Sequence, residues 1–140
     1  MNYKNIRRKP IIVAIDDSPM ILNFLKSYLS DSNEVITYQS TSTALEELSS
    51  GLVAPDCVVT DYYLGKDLTG LEFTMELKKV DPIIPVMILS GSCDTGQKIA
   101  CLEQGAIDFM VKPFNPKELK ARIRNALSTA PQVNGYFHAL

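Results

Sequence analysis

The stretch Asp56-Cys57-Val58-Val59-Thr60-Asp61 decides how the chain is read. An apolar, β-branched run lies between Pro55 and the two glycines Gly65 and Gly70, and it ends on a carboxylate. A short apolar run between breakers is the pattern of a buried strand. It is expected over Cys57 to Thr60. Asp61 then stands at the strand's carboxyl end, where open α/β sheets gather their ligands.

Working outward, Ile11 to Ile15 is a second continuous apolar run, with no polar alternation, as expected of a central parallel strand. Asp16 and Asp17 end it. Ser18 followed by Pro19 is a helix N-cap with proline at the first helical position. Met20, Ile21, Phe24, Leu25, Tyr28 and Leu29 then recur at helical spacing through Ser30. Val35 to Tyr38 is a second strand, and a helix from about Thr43 stops near Gly51. Leu71, Phe73, Met75 and Leu77 alternate like a strand, yet Leu, Glu, Met and Lys favour a helix and a parallel sheet needs a crossover here. A helix over Leu71 to Val80 is therefore predicted. A fourth strand is read over Ile83 to Ser90, then a helix over Asp94 to Gln104 stopped by Gly105. A fifth strand spans Ile107 to Val111. A last helix is capped by Asn115, opened by Pro116, and striped by Leu119, Ile123, Ala126 and Leu127.

The order βαβαβαβαβα implies an α/β fold: a doubly wound, flavodoxin-like five-stranded parallel sheet of order 2-1-3-4-5 with five flanking helices. One domain is expected over residues 10–128. Residues 1–9 read as a lead-in, and 129–140 as a flexible tail or the start of a linker. The lead-in is basic (Lys4, Arg7, Arg8, Lys9), but the apolar run behind it is too short for a signal peptide. No apolar run approaches the ~18 residues of a membrane span, so no membrane association is expected. A net charge of −2 gives no bulk electrostatic case for direct nucleic-acid binding. Three cysteines, Cys57, Cys93 and Cys101, lack metal-ligand spacing and fit reduced thiols in the cytoplasm.

In the expected strand order the first and third strands are neighbours, so Asp16, Asp17 and Asp61 meet at one edge. Each like-charge pair costs on the order of 4 kcal/mol at ~4 Å and an effective dielectric of ~20. A divalent cation offsets that cost, and oxygen-only ligands suit Mg²⁺. Ser90 ends the fourth strand and Lys112 follows the fifth, so both reach the same edge. A carboxylate beside Mg²⁺ and a lysine is a nucleophile for phosphorus, needing no general base because it is already ionised.

These residues carry a resemblance. Asp16-Asp17, Asp61, Ser90-Gly91 and Lys112-Pro113-Phe114, in order over about Pro10 to Leu127, resemble the receiver domain of two-component response regulators, of the chemotaxis-regulator kind. The resemblance implies a phosphorylation switch rather than a turnover enzyme, acting only on its own phosphoryl group. It implies that Asp61 takes a phosphoryl group from a histidine kinase or histidine phosphotransfer protein, with Ser90 and Lys112 assisting. Mg²⁺ would be held by Asp17, Asp61 and the Tyr63 carbonyl directly and by Asp16 through water. Ser90 would be the switch hydroxyl and Phe109 the switch aromatic, moving inward on phosphorylation. Lys112-Pro113 would be cis. The helix 4, strand 5 and helix 5 surface, with Lys98, Asp108, Glu118 and Arg122, would face an output protein or domain.

Departures are also visible. Gly65 replaces a frequent proline, Gly70 comes one residue late, and Tyr63 occupies a position bordering the phosphate. Ile107 and Ala100 replace charged dimer contacts, which argues against dimerisation there; the oligomeric state stays open. Taken singly the motifs are bland: Asp-Asp before a helix ordinarily caps it, Lys-Pro is ordinarily a turn, and His138 lies in the tail with no role expected. A flavin carrier is opposed by Asp16 and Asp17 and by the absence of tryptophan. An aspartate-based phosphatase lacks its second acid, since Tyr62 and Tyr63 follow Asp61. Loss of Asp61, Asp17 or Lys112 would mark a receiver that docks without phosphate; none is lost.

Overall fold

The computed structural model describes residues 8–129. Five strands and five helices alternate: β1 Ile11–Ile15, α1 Pro19–Leu29, β2 Glu34–Tyr38, α2 Thr41–Ser49, β3 Cys57–Asp61, α3 Gly70–Val80, β4 Val86–Ser90, α4 Thr95–Glu103, β5 Asp108–Val111 and α5 Pro116–Thr129. The strands form one parallel sheet in the order β2-β1-β3-β4-β5, as the alternation predicts. The expected tail, apart from Thr129 at the end of α5, and most of the lead-in lie outside the described residues.

Period-two alternation along buried strands explains the two cores. Ile12, Ala14, Cys57, Val59, Met87, Leu89 and Met110 face α1 and α5, through Leu22, Leu25, Leu29, Leu119, Ile123 and Ala126. Val13, Ile15, Val58, Ile88 and Phe109 face α2, α3 and α4, through Ala44, Leu48, Phe73, Leu77 and Cys101. Each fully buried aliphatic side chain contributes roughly 1.5–3 kcal/mol, so a polar group in the middle of these strands is expensive. Chemistry is left to the strand ends.

Most boundaries that differ from the sequence reading shift by a single residue, and three of the differences have a plain physical reason. Helix α2 begins at Thr41, because Ser40, not a later hydroxyl, caps it: its Oγ accepts from the Thr43 N–H at 3.1 Å. Strand β4 begins at Val86 rather than Ile83. Pro85 has no N–H to give the ladder, although its carbonyl still accepts from the Val58 N–H at 2.9 Å. Strand β5 begins at Asp108, with Ile107 exposed before it. Helix α3 is a helix, as propensity and topology require. Its buried face is Gly70, Phe73, Thr74 and Leu77, a 3–4 spacing carried partly by a glycine and a threonine. The deceptive alternation came from the half-buried Leu71 and the exposed Met75.

Candidate functional site

The carboxyl ends of β1, β3, β4 and β5 converge. Asp16 continues the β1–β2 ladder, its N–H reaching the Tyr38 carbonyl at 3.1 Å. Its side chain is buried, and both oxygens are engaged. Oδ1 accepts from the Ser18 N–H at 2.9 Å, and Oδ2 lies 3.0 Å from Lys112 Nζ. Asp17, the next residue, is exposed. Asp61 ends β3, pairs in register with Leu89, and is 9% exposed. Its Oδ1 accepts from the Tyr62 N–H at 2.9 Å and lies 3.1 Å from Lys112 Nζ. Among the described residues nothing hydrogen-bonds to its second oxygen, Oδ2.

One lysine thus serves two buried carboxylates. The electrostatics follow from that count. Burial opposes the charge on Lys112, but Asp16 and Asp61 together outweigh it and raise its pKa. Asp61 has only a share of one cation. Burial first, and the neighbouring Asp16 charge second, raise its pKa, with Lys112 and the Tyr62 N–H offsetting only part. The folded chain thus holds, at Asp61, a carboxylate whose charge is under-compensated.

Asp16, Asp17 and Asp61 each offer an oxygen, and these lie within 4.8 Å of one another. An all-oxygen set with a surplus of negative charge fits Mg²⁺. The engaged oxygens of Asp16 leave Asp17 and Asp61 with the capacity for direct contact. The Tyr63 side chain is 60% exposed and meets the Tyr62 ring edge-on at 4.7 Å between centroids.

Ser90 ends β4 at 0% exposure. Its hydroxyl does not bond Asp61. It donates to Gln97 Oε1 on α4 at 2.6 Å and accepts from the Ser92 N–H at 3.1 Å. Phe109 is already inside the core at 5% exposure, so an inward swing is not what this position has left to do. The Lys112-Pro113 peptide is cis. Arg122 is held within the chain by Asp108 at 2.8 Å and Glu118 at 2.7 Å.

Sequence reasoning missed three features. Gln97 carries no signal, since glutamine in a first helical turn is ordinary. The close approach of Gly70 to β3 was unread: a Cβ there would stand 2.5 Å from the Asp61 carbonyl oxygen. Beside Lys112 an apolar groove of about 500 Å³ is lined by Ile21, Phe24, Pro113, Phe114 and Pro116. In the sequence Phe24 is one member of a helical stripe, and its 42% exposure is the structural sign.

The arrangement defines a class, and comparison with known proteins agrees. A family model described as the response regulator receiver domain matches residues 12–124. The probable transcriptional regulator ycf27 of Cyanophora paradoxa is 40% identical over 123 residues, covering 87% of this chain and 49% of that protein. The response regulator protein TodT of Pseudomonas putida is 32% identical over 126 residues, covering 89% of this chain and 54% of the relative. A crystal structure of a response regulator receiver domain protein from Clostridium thermocellum superposes with a TM-score of 0.78 at 33% identity, covering 85% of this chain and 94% of that one. The chain belongs to the response regulator receiver domain family, the phosphorylation-dependent switches of two-component signalling. It spans about half the length of these two curated relatives. Among the described residues no helix is long and apolar enough to cross a membrane.

Proposed function

We propose that Asp61 is the phosphoacceptor and that its phosphorylation, by a histidine kinase or histidine phosphotransfer protein, changes the α4/β5/α5 surface seen by an output protein or domain. The observation that carries the reading is the Asp61 carboxylate itself. One oxygen is positioned by Lys112 and the Tyr62 N–H, and the other has no hydrogen-bond partner among the described residues. In the transfer, Oδ2 attacks phosphorus, the new O–P bond forms, and the P–N bond to the donor imidazole breaks with its electron pair leaving on nitrogen. Lys112 is placed to stabilise charge on a phosphoryl oxygen. Mg²⁺, when bound, neutralises charge on the transferring group; Asp17, Asp61 and the Tyr63 carbonyl would hold it, with Asp16 acting through water. Later attack of water on phosphorus restores the carboxylate and releases phosphate. The chain acts only on its own phosphoryl group and is not a turnover enzyme.

The donor reaches Asp61 across the groove of Ile21, Phe24, Pro113 and Phe114, whose apolar surface opens beside Lys112. Reduced thiols support a cytoplasmic setting: Cys57 and Cys101 are buried and Cys93 exposed, all unpaired among the described residues. Burial pushes the Cys57 thiol up to about 12, which keeps it inert.

Incubation with acetyl phosphate, with and without Mg²⁺, followed by intact mass, tests the reading. One added phosphoryl group is expected on the wild type with Mg²⁺ and none on Asp61→Asn. Labelling that persists in the variant would overturn Asp61 as acceptor.

A further inference from the structure

The Ser90 hydroxyl has one proton to give, and it gives it to Gln97. To bond a phosphoryl oxygen on Asp61 it must leave that partner. Helix α4 is thinly held in any case. Of its nine residues only Cys101, near its far end, is buried, whereas α1 buries three and α3 four. Ile99 and Leu102 of α4 are 48% and 40% exposed. Among the described residues, Gln97 to Ser90 is the one side-chain hydrogen bond that joins α4 to the sheet.

We propose that Gln97 is a positioning residue that keeps the Ser90 hydroxyl on α4 and away from Asp61, and that phosphorylation frees the first half of α4 by drawing that hydroxyl off. The inference rests on Asp61 being the phosphoacceptor. It gives the switch a route that does not depend on Phe109, whose ring is already buried. The energetics have a definite sign. Ser90 is fully buried, so without Gln97 its donor is left unsatisfied and the unphosphorylated state rises in free energy. Gln97 is half-exposed, so in the phosphorylated state water takes Ser90's place at little cost. Removing the glutamine acceptor therefore favours the phosphorylated arrangement. Helix α4, relieved of its tie at residue 97, then opens locally more often, because local stability follows the buried contacts that remain.

The test uses the full 140-residue chain, with beryllofluoride and Mg²⁺ as the phosphoryl probe. Four proteins are compared: wild type, Gln97→Met, Ser90→Ala and the double variant. Methionine keeps the length and helix propensity of glutamine but not its acceptor, and circular dichroism checks folding. Gln97→Met is expected to bind the probe about 2- to 10-fold more tightly, the range set by losing one net hydrogen bond in the free state. The same substitution in the Ser90→Ala background is expected to change nothing. Amide exchange over residues 95–100 is expected to speed up in Gln97→Met without probe, and in the wild type only with it. An equal tightening in both backgrounds, or none in either, overturns the inference while acetyl phosphate labelling of Asp61 stands. A wild type that neither binds the probe nor is labelled overturns the phosphorylation reading, and this inference with it.

Discussion

One aspartate stands just before β3 and another closes it, and the two live differently. Asp56, just before the strand, has a partner for each demand. Arg8 grips it with two nitrogens at 2.7 and 3.2 Å, and the Ile11 N–H donates at 2.8 Å. Asp61, the strand's last residue, shares one lysine with Asp16 and keeps an oxygen unengaged. One end is satisfied and the other is held short of satisfaction. A carboxylate fastens structure when its lone pairs are spoken for, and can attack an electrophile when they are not. The residue type is the same; the count of partners differs, and with it the role proposed for each.

The sharpest test of that contrast exchanges the charge at each end in turn. Asp61→Asn is expected to abolish labelling by acetyl phosphate, and Asp56→Asn to leave it intact, read by intact mass. Next in size, Lys112→Met is expected to slow labelling by roughly 100-fold, the scale of losing one preorganised electrostatic stabiliser. Single-turnover kinetics at saturating Mg²⁺ would show it, and a rate within about twofold of wild type would break the assignment of Lys112.

Stability should run the opposite way at the two ends. Asp56→Asn weakens a charged hydrogen-bond set that is partly open to water, and should cost about 1–2 kcal/mol in urea unfolding. Asp61→Asn should instead stabilise the metal-free protein at pH 7, by on the order of 1 kcal/mol, as relieving a strained functional site commonly does. Mg²⁺ should raise the melting temperature of the wild type more than that of the variant, because binding only the native state stabilises it. A loss of stability in Asp61→Asn would end the idea that this carboxylate is under-compensated.

The smallest effect is in pH dependence. The folded pKa of Asp61 is raised by burial and by Asp16, so the native state binds more protons than the unfolded one between the two values. Stability from this group falls as pH rises through that window. Asp67 has the opposite sign. Burial opposes its charge, but hydrogen bonds from Ser40 and Ser42 outweigh that and lower its pKa. Its contribution is present above the ordinary aspartate value and is lost as pH falls through the lowered one. Melting curves from pH 7 to 3 on Asp61→Asn and Asp67→Asn should therefore depart from wild type in opposite directions.

The strands and the acid site were legible because buried parallel strands are written as unbroken apolar runs, and each run that feeds the site ends abruptly in Asp16, Asp61 or Ser90. The start of α2 was not, for a physical reason. Ser40, Thr41, Ser42 and Thr43 offer four successive hydroxyls, and local propensity cannot choose among them. The choice is made from across the fold by Asp67, which accepts from Ser40 Oγ at 2.6 Å and is also bonded by Ser42. Gln97 was illegible for the same reason. What makes it matter is a partner seven residues back on another element, and no spacing rule announces that. The burial of Phe109, in one core cluster with Cys101 of α4 and Ala106 after it, is likewise a matter of the fold rather than of its neighbours in sequence.

The pinch at Gly70 has a consequence for how this chain can vary. The Gly70 N–H donates to the Tyr62 carbonyl at 2.8 Å, and its missing side chain lets α3 start against the backbone of Asp61. The chain between leaves β3 and returns to it at nearly the same place, so the length of its tip, between Tyr63 and Asp67, does not decide where Asp61 stands. Gly65 and Lys66 at its tip are exposed. Residues can be added or exchanged at that tip as text is changed between fixed brackets, with the address of Asp61 unaltered.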